Sequence, residues 1–127
     1  SAHYIYALAR AGMEHELAEA LRSVKSNVEG IDGPEKEVWE KVGLPLIDAT
    51  ASYALDKYKP AADILAQIID DVEMVGGSDA QVDLIRQAYL LSLINCNKKS
   101  EAKKYLNNLS TSPTLTPLQN YWFSLIN

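Results

Sequence analysis

LDKYKPAADIL, Leu55 to Leu65, is the stretch whose reading decides the fold. Asp56 to Lys59 is polar, and Pro60, with its fixed φ and missing N–H, suits the first turn of a helix. Beyond it Ala61, Leu65, Ile68 and Val72 fall on one stripe of a 3.6-residue period, with Ile64, Ile69 and Val75 beside them. The stretch therefore reads as a tight turn feeding an amphipathic helix. Two others share its layout: AGMEHELAEAL, Ala11 to Leu21, and CNKKSEAKKYL, Cys96 to Leu106. With Leu17, Ala61 and Ala102 taken as equivalent, the spacings are 44 and 41 residues. Three turns of one kind predict helical hairpins and an all-α chain.

Working outward, the first helix covers roughly His3 to Ala11 and stops at Gly12. Glu14 to Glu29 follows, with Leu17, Leu21, Val24 and Val28 as its stripe. Pro34 opens a long helix to about Asp56, which Gly43 and Pro45 are expected to break or kink, because proline lacks a donor and crowds the preceding turn. Asp79 to Cys96 is apolar nearly all round and should be the most buried element. Ser100 to Leu109 is a shorter helix, and Thr116 with Pro117 starts a last one. Alternating strand patterns are nearly absent. The expectation is one α-helical repeat domain over residues 1–127, with about seven helices: hairpins at 2–29, 35–75 and 79–109, and a capping helix at 116–127.

The totals narrow the function classes. A net charge of −5 argues against nucleic acid or an anionic membrane as the main partner. Lys98, Lys99, Lys103 and Lys104 form the one basic cluster, read as a solvated face. No apolar run approaches the roughly 18 residues of a spanning helix. The single Cys96 can form no internal disulfide, which suits a reducing, cytoplasmic setting. A start at Ser1 directly in helical pattern reads as a piece of a longer protein.

The only Gly-Gly pair lies in VGGSDAQ, Val75 to Gln81. It lacks the lysine of a phosphate loop, and no strand precedes it. Gly76 or Gly77 can close one helix, while Ser78 and Gln81 have the spacing of a capping box for the next, with Asp79 favoured in its first turn. The structural reading is preferred. The helix start beside Asp70, Asp71, Glu73 and Asp79 leaves open a small site for a cation or basic peptide.

His3 and His15 are the only histidines, and the single pair His15 and Glu19 does not make a metal site. The aromatic residues stand mostly at core spacing. Trp39, Tyr53 and Tyr89 are the candidates for lining a groove in which a peptide would dock, with Trp39, just before Gly43 and Pro45, the first to test.

The phrase DKYKPAADIL resembles the turn and second-helix start of a tetratricopeptide repeat, in which small residues let two helices approach closely. Ala49 supplies the small partner of Ala61, whereas Ile5 and Leu90 stand at that place in the other units. Both spacings exceed the roughly 34-residue tetratricopeptide period. Three features together sharpen the likeness: Ala2-His3 opening a helix that ends Ala-Arg-Ala-Gly, then Gly43-Leu44-Pro45-Leu46, then Gly76-Gly77-Ser78-Asp79-Ala80-Gln81 with Asp83. In this order they resemble the C-terminal region of the tetratricopeptide repeat protein 38 family, from Ala2 to about Asn107, with Val75 and Val82 departing from the family's isoleucine and arginine. The resemblance implies antiparallel hairpins stacked as a tetratricopeptide-like right-handed array. It carries over no catalytic residue, cofactor or metal.

The function expected is a non-catalytic helical-repeat module that binds a protein or peptide in its concave face. The alternative is the C-terminal scaffold of an enzyme or ligand-binding protein whose site lies in a preceding part. Trp122 and Phe123 suit a cap or a homo-oligomer contact.

Overall fold

A computed structural model describes residues 2–75 and 79–109, and the regular elements among these are all helical, with no strand. The elements are α1 (Ala2–Arg10), α2 (Glu14–Glu29), α3 (Pro34–Val38), a π-helical turn (Trp39–Gly43), α4 (Leu44–Ala54), α5 (Tyr58–Ile68), a 3₁₀ segment (Ile69–Val75), α6 (Asp79–Asn95) and α7 (Lys99–Leu109). The all-α class is as the periodicity predicts. The expected capping helix at 116–127 lies outside the described residues.

The three turns are built alike. Gly12, Asp56 and Asn97 each have positive φ, at 72°, 60° and 66°. After each, the next amide reaches back five residues: Met13 N–H to Leu8 C=O at 3.1 Å, Lys57 to Ser52 at 2.8 Å, and Lys98 to Leu93 at 2.8 Å. The left-handed residue itself donates three residues back, to Ala9, Tyr53 and Ile94. This pair of bonds is the Schellman closure, which satisfies carbonyls that a helix end otherwise leaves open. The following helices then begin in register, with Leu17 N–H to Met13 C=O, Ala61 to Lys57, and Ala102 to Lys98. The equivalence of Leu17, Ala61 and Ala102 is thus a property of the backbone. Pro60 is the third residue of α5 rather than its first, and still stands in the turn whose amides have no intrahelical acceptor.

The long helix does not break at Gly43 and Pro45. Val38, Gly43 and Leu44 keep right-handed helical angles, and the Leu44 amide bonds Trp39 C=O, one residue further back than an α-helix allows. A single wide turn absorbs the proline. Gly43 is needed there for space: a Cβ would lie 2.3 Å from Trp39 Cε3. At its other end, the helix after Pro60 tightens to 3₁₀ from Ile69, where aspartates and β-branched residues favour the α-helix least.

Two cores meet on α4. One face, with Leu46 and Ala49 and with Val42 of the π-helical turn beside them, joins Ala62, Leu65 and Ile68 of α5 and Leu90 and Leu93 of α6. The opposite face, with Ile47, Ala51 and Ala54, receives Ile5, Leu8 and Ala9 of α1 and Leu17 of α2. Ile5, Ala49 and Leu90 stand seven residues before their left-handed residues, and all three are buried. Ala49 and Ala61 are both 0% exposed, so the middle hairpin closes over two alanines. Burial of this kind stabilises by roughly 25 cal/mol per Å² of apolar surface.

Candidate interaction surface at the first two turns

Arg10 at the end of α1 reaches across to the second turn. Its Nη1 donates to the Ala54 carbonyl at 3.3 Å and pairs with Asp56 Oδ1 at 3.1 Å. A cation on a terminal carbonyl of α4 is favourably placed against the helix dipole. The same Asp56 oxygen accepts the Tyr58 hydroxyl at 3.0 Å. The left-handed residue of the turn therefore also ties α1 to α5.

Three tyrosine rings line up beside this junction. Tyr6 and Tyr53 have centroids 6.3 Å apart, and Tyr53 meets Tyr58 edge-on at 6.1 Å. Burial and the neighbouring phenols Tyr6 and Tyr58 push the Tyr53 hydroxyl above its ordinary value, while the bond to Asp56 and burial do the same for Tyr58. Both stay protonated at neutral pH and can donate. Tyr6, Met13 and Leu55 are exposed around them. Four of the five large hydrophobics exposed among the described residues belong to α1 and the first two turns. Such a concentration of apolar surface with polar tips suits protein recognition.

The three aromatic candidates are not brought into one groove. Only Tyr53 belongs to this surface. Trp39 is half-buried, folded over Gly43 and packed against the α1–α4 core. Tyr89 is 7% exposed and sits in the other core, its ring edge-on to Tyr105 at 4.9 Å. Burial pushes the Tyr105 hydroxyl up to about 12 even though Arg86 hydrogen-bonds it. Tyr89 thus lies within a core and Trp39 at the edge of one, because the segments that carry them are apolar on more than one face, and spacing alone cannot rank those faces. Tyr6 and Tyr58 were the partners to find. The signal was their place relative to the turns, Tyr6 six residues before Gly12 and Tyr58 two after Asp56.

Of the glycine-rich segment, Gly76, Gly77 and Ser78 lie outside the described residues, as do the side chains of His3, Asp79 and Gln81. Asp83 is exposed and accepts from Arg86 Nη1 at 3.4 Å within its own helix. His15 Nε2 lies 3.2 Å from Glu19 on the exposed side of α2. No three His, Cys, Asp or Glu among the described residues converge as a metal site would require. No helix among them is long and apolar enough to cross a membrane.

Compared with known proteins, the chain matches no family model and no solved structure.

Proposed function

We propose that the chain is a tetratricopeptide-type helical-repeat module, of the kind resembled by its Gly76–Gln81 segment, and that it binds a protein or peptide partner. The observation that carries this reading is the tyrosine-lined surface of Tyr6, Tyr53 and Tyr58, which stands beside the Arg10–Asp56 bridge. Rigid aromatics with hydroxyl tips supply large contact area at little entropic cost, which is what recognition surfaces use. Support for repeat stacking comes from the three equivalent turns and from α4 shared between two cores. We place the partner at this turn-end surface rather than in a groove through Trp39 and Tyr89. The cytoplasm is the proposed setting, on the strength of a single cysteine that is half-buried on α6's end.

Selection of peptides from a random display library on the immobilised chain, followed by calorimetry, tests this. Selected peptides should lose at least about tenfold in affinity, about 1.4 kcal/mol, with Tyr6→Ser or Tyr53→Ser, and keep it with Leu84→Ser. Peptides indifferent to both tyrosine variants would overturn the assignment of the surface.

A further inference from the structure

Among the described residues, seven of the twelve Lys and Arg side chains stand within 4.0 Å of a carboxylate. Three of the other five gather on α7: Lys99, Lys103 and Lys104. The fold divides the basic cluster of the sequence. Lys98 turns to α5 and pairs with Asp63 at 2.9 Å, while Lys99, Lys103 and Lys104 are all exposed. Ser100, Asn107 and Asn108 fill the rest of that exposed arc and bring no acid. Glu101, the one acid of α7, acts instead on Lys98 and on Tyr89 of α6. Other exposed helix faces pair their signs, Lys36 with Glu40, Lys41 with Glu37 and Lys59 with Asp63. On α7 like charges stand four residues apart, which works against the helix that carries them. We propose that this face of α7 binds an acidic segment of a partner protein.

The turn residues Asp56 and Asn97 are 41 residues apart, so Ala62 and Asp63 of α5 correspond to Lys103 and Lys104 of α7. Ala62 is 1% exposed, within the core that α5 shares with α6, and Asp63 receives Lys98 from the hairpin that follows. At α7 both places hold lysine. A further hairpin of the same kind would bury Lys103 without a counter-charge, which is costly. The sign of the contact is inverted here, so what seats on the face must bring the carboxylates. Residues 110–127 contain no Asp or Glu, and their side chains supply none. Spacing narrows the partner further. Lys99 and Lys103 stand about 6 Å apart along the helix axis, close to the ~7 Å between alternate side chains of an extended strand. A stretch with acids at alternate positions therefore meets both. A phosphodiester chain fits less well, because the protein's net charge of −5 repels it beyond this one face.

Fluorescence anisotropy of a labelled poly-glutamate peptide, titrated with the full chain at low salt, tests this. Binding is expected, and it should vanish as salt approaches about 1 M, where charges are screened within about 3 Å. Lys103→Glu combined with Lys104→Glu should weaken it by at least about tenfold. Arg22→Glu combined with Lys57→Glu changes the net charge equally at two other unpaired cations, and should leave it within about twofold. All four positions are exposed, so circular dichroism should show both variants folded as the parent. Absence of binding, or equal losses in the two variants, would overturn the proposal, the second because net charge alone would then account for the affinity. So would tighter binding of a poly-uridylate of the same length, or self-association of the chain that the α7 variant abolishes. Tyr6→Ser should leave poly-glutamate binding unaltered, so this face and the tyrosine surface stand or fall separately.

Discussion

The first hairpin and the middle one share a turn and differ in their surroundings. Gly12 and Asp56 adopt the same left-handed conformation, and the two bonds that close each turn run between equivalent residues. Yet α4 is buried on two opposite faces and α1 on one. Local sequence sets the turn, while neighbours set what each helix position must tolerate. Equivalent substitutions in the two hairpins should therefore have unequal effects, and the size of the inequality measures how far the comparison holds.

The largest contrast is at the Ala7 and Ala51 position. Ala51→Arg puts an unpaired charge into the α1–α4 core and should cost about 3–4 kcal/mol by chemical denaturation. Ala7→Arg should stay within about 0.5 kcal/mol. Equal costs would show that the register of the two hairpins is mistaken. Next comes the π-helical turn, which the first hairpin lacks. Gly43→Ala must displace the Trp39 ring and should cost about 1–3 kcal/mol, with a change in tryptophan fluorescence. An unaltered spectrum would mean that the indole does not lie there.

Turn chemistry gives a smaller and opposite pair. Gly12→Ala has open space around its Cβ, so its cost is backbone alone, about 1–2 kcal/mol. Asn97→Gly relieves the same strain in the third turn and should stabilise by about 0.5–1 kcal/mol in thermal unfolding. Asp56→Gly should stabilise less than Asn97→Gly, because it also removes the Arg10 and Tyr58 contacts.

The smallest effect is one of pH. Tyr105 has its hydroxyl pushed from 10.0 up to about 12 in the folded chain, chiefly by burial. The unfolded chain releases this proton first, so the contribution is complete below pH 10 and is lost as pH rises toward 12. Tyr105→Phe should flatten this part of the stability–pH curve; an unchanged slope would assign it to other groups.

Much of the fold was legible because the turns carry their own chemistry. A polar turn, followed by an apolar stripe in fixed phase, recurs at Gly12, Asp56 and Asn97, and the register deduced from Leu17, Ala61 and Ala102 matches the hydrogen bonds. The outcome at Gly43 and Pro45 was not legible. Proline removes one donor, and whether the helix breaks or widens depends on whether the skipped amide finds another acceptor, which Leu44 does at Trp39. The candidate surface was legible only in Tyr53. Tyr58 stands only five residues on, but Tyr6 comes from a helix more than forty residues away in sequence, joined through Arg10 and Asp56 at a separation of 46. Tyr89 could not be ranked from sequence because α6 is apolar almost all round, so an aromatic there reads equally as core or groove.

The central claim is that three hairpins close by one turn. Native-state hydrogen exchange at the amides of Met13, Lys57 and Lys98 tests it most directly. All three lie between helices, and each should be protected through its bond to Leu8, Ser52 and Leu93. Protection at all three sites is the predicted result; exchange of any one at the rate of an open loop would contradict the shared turn.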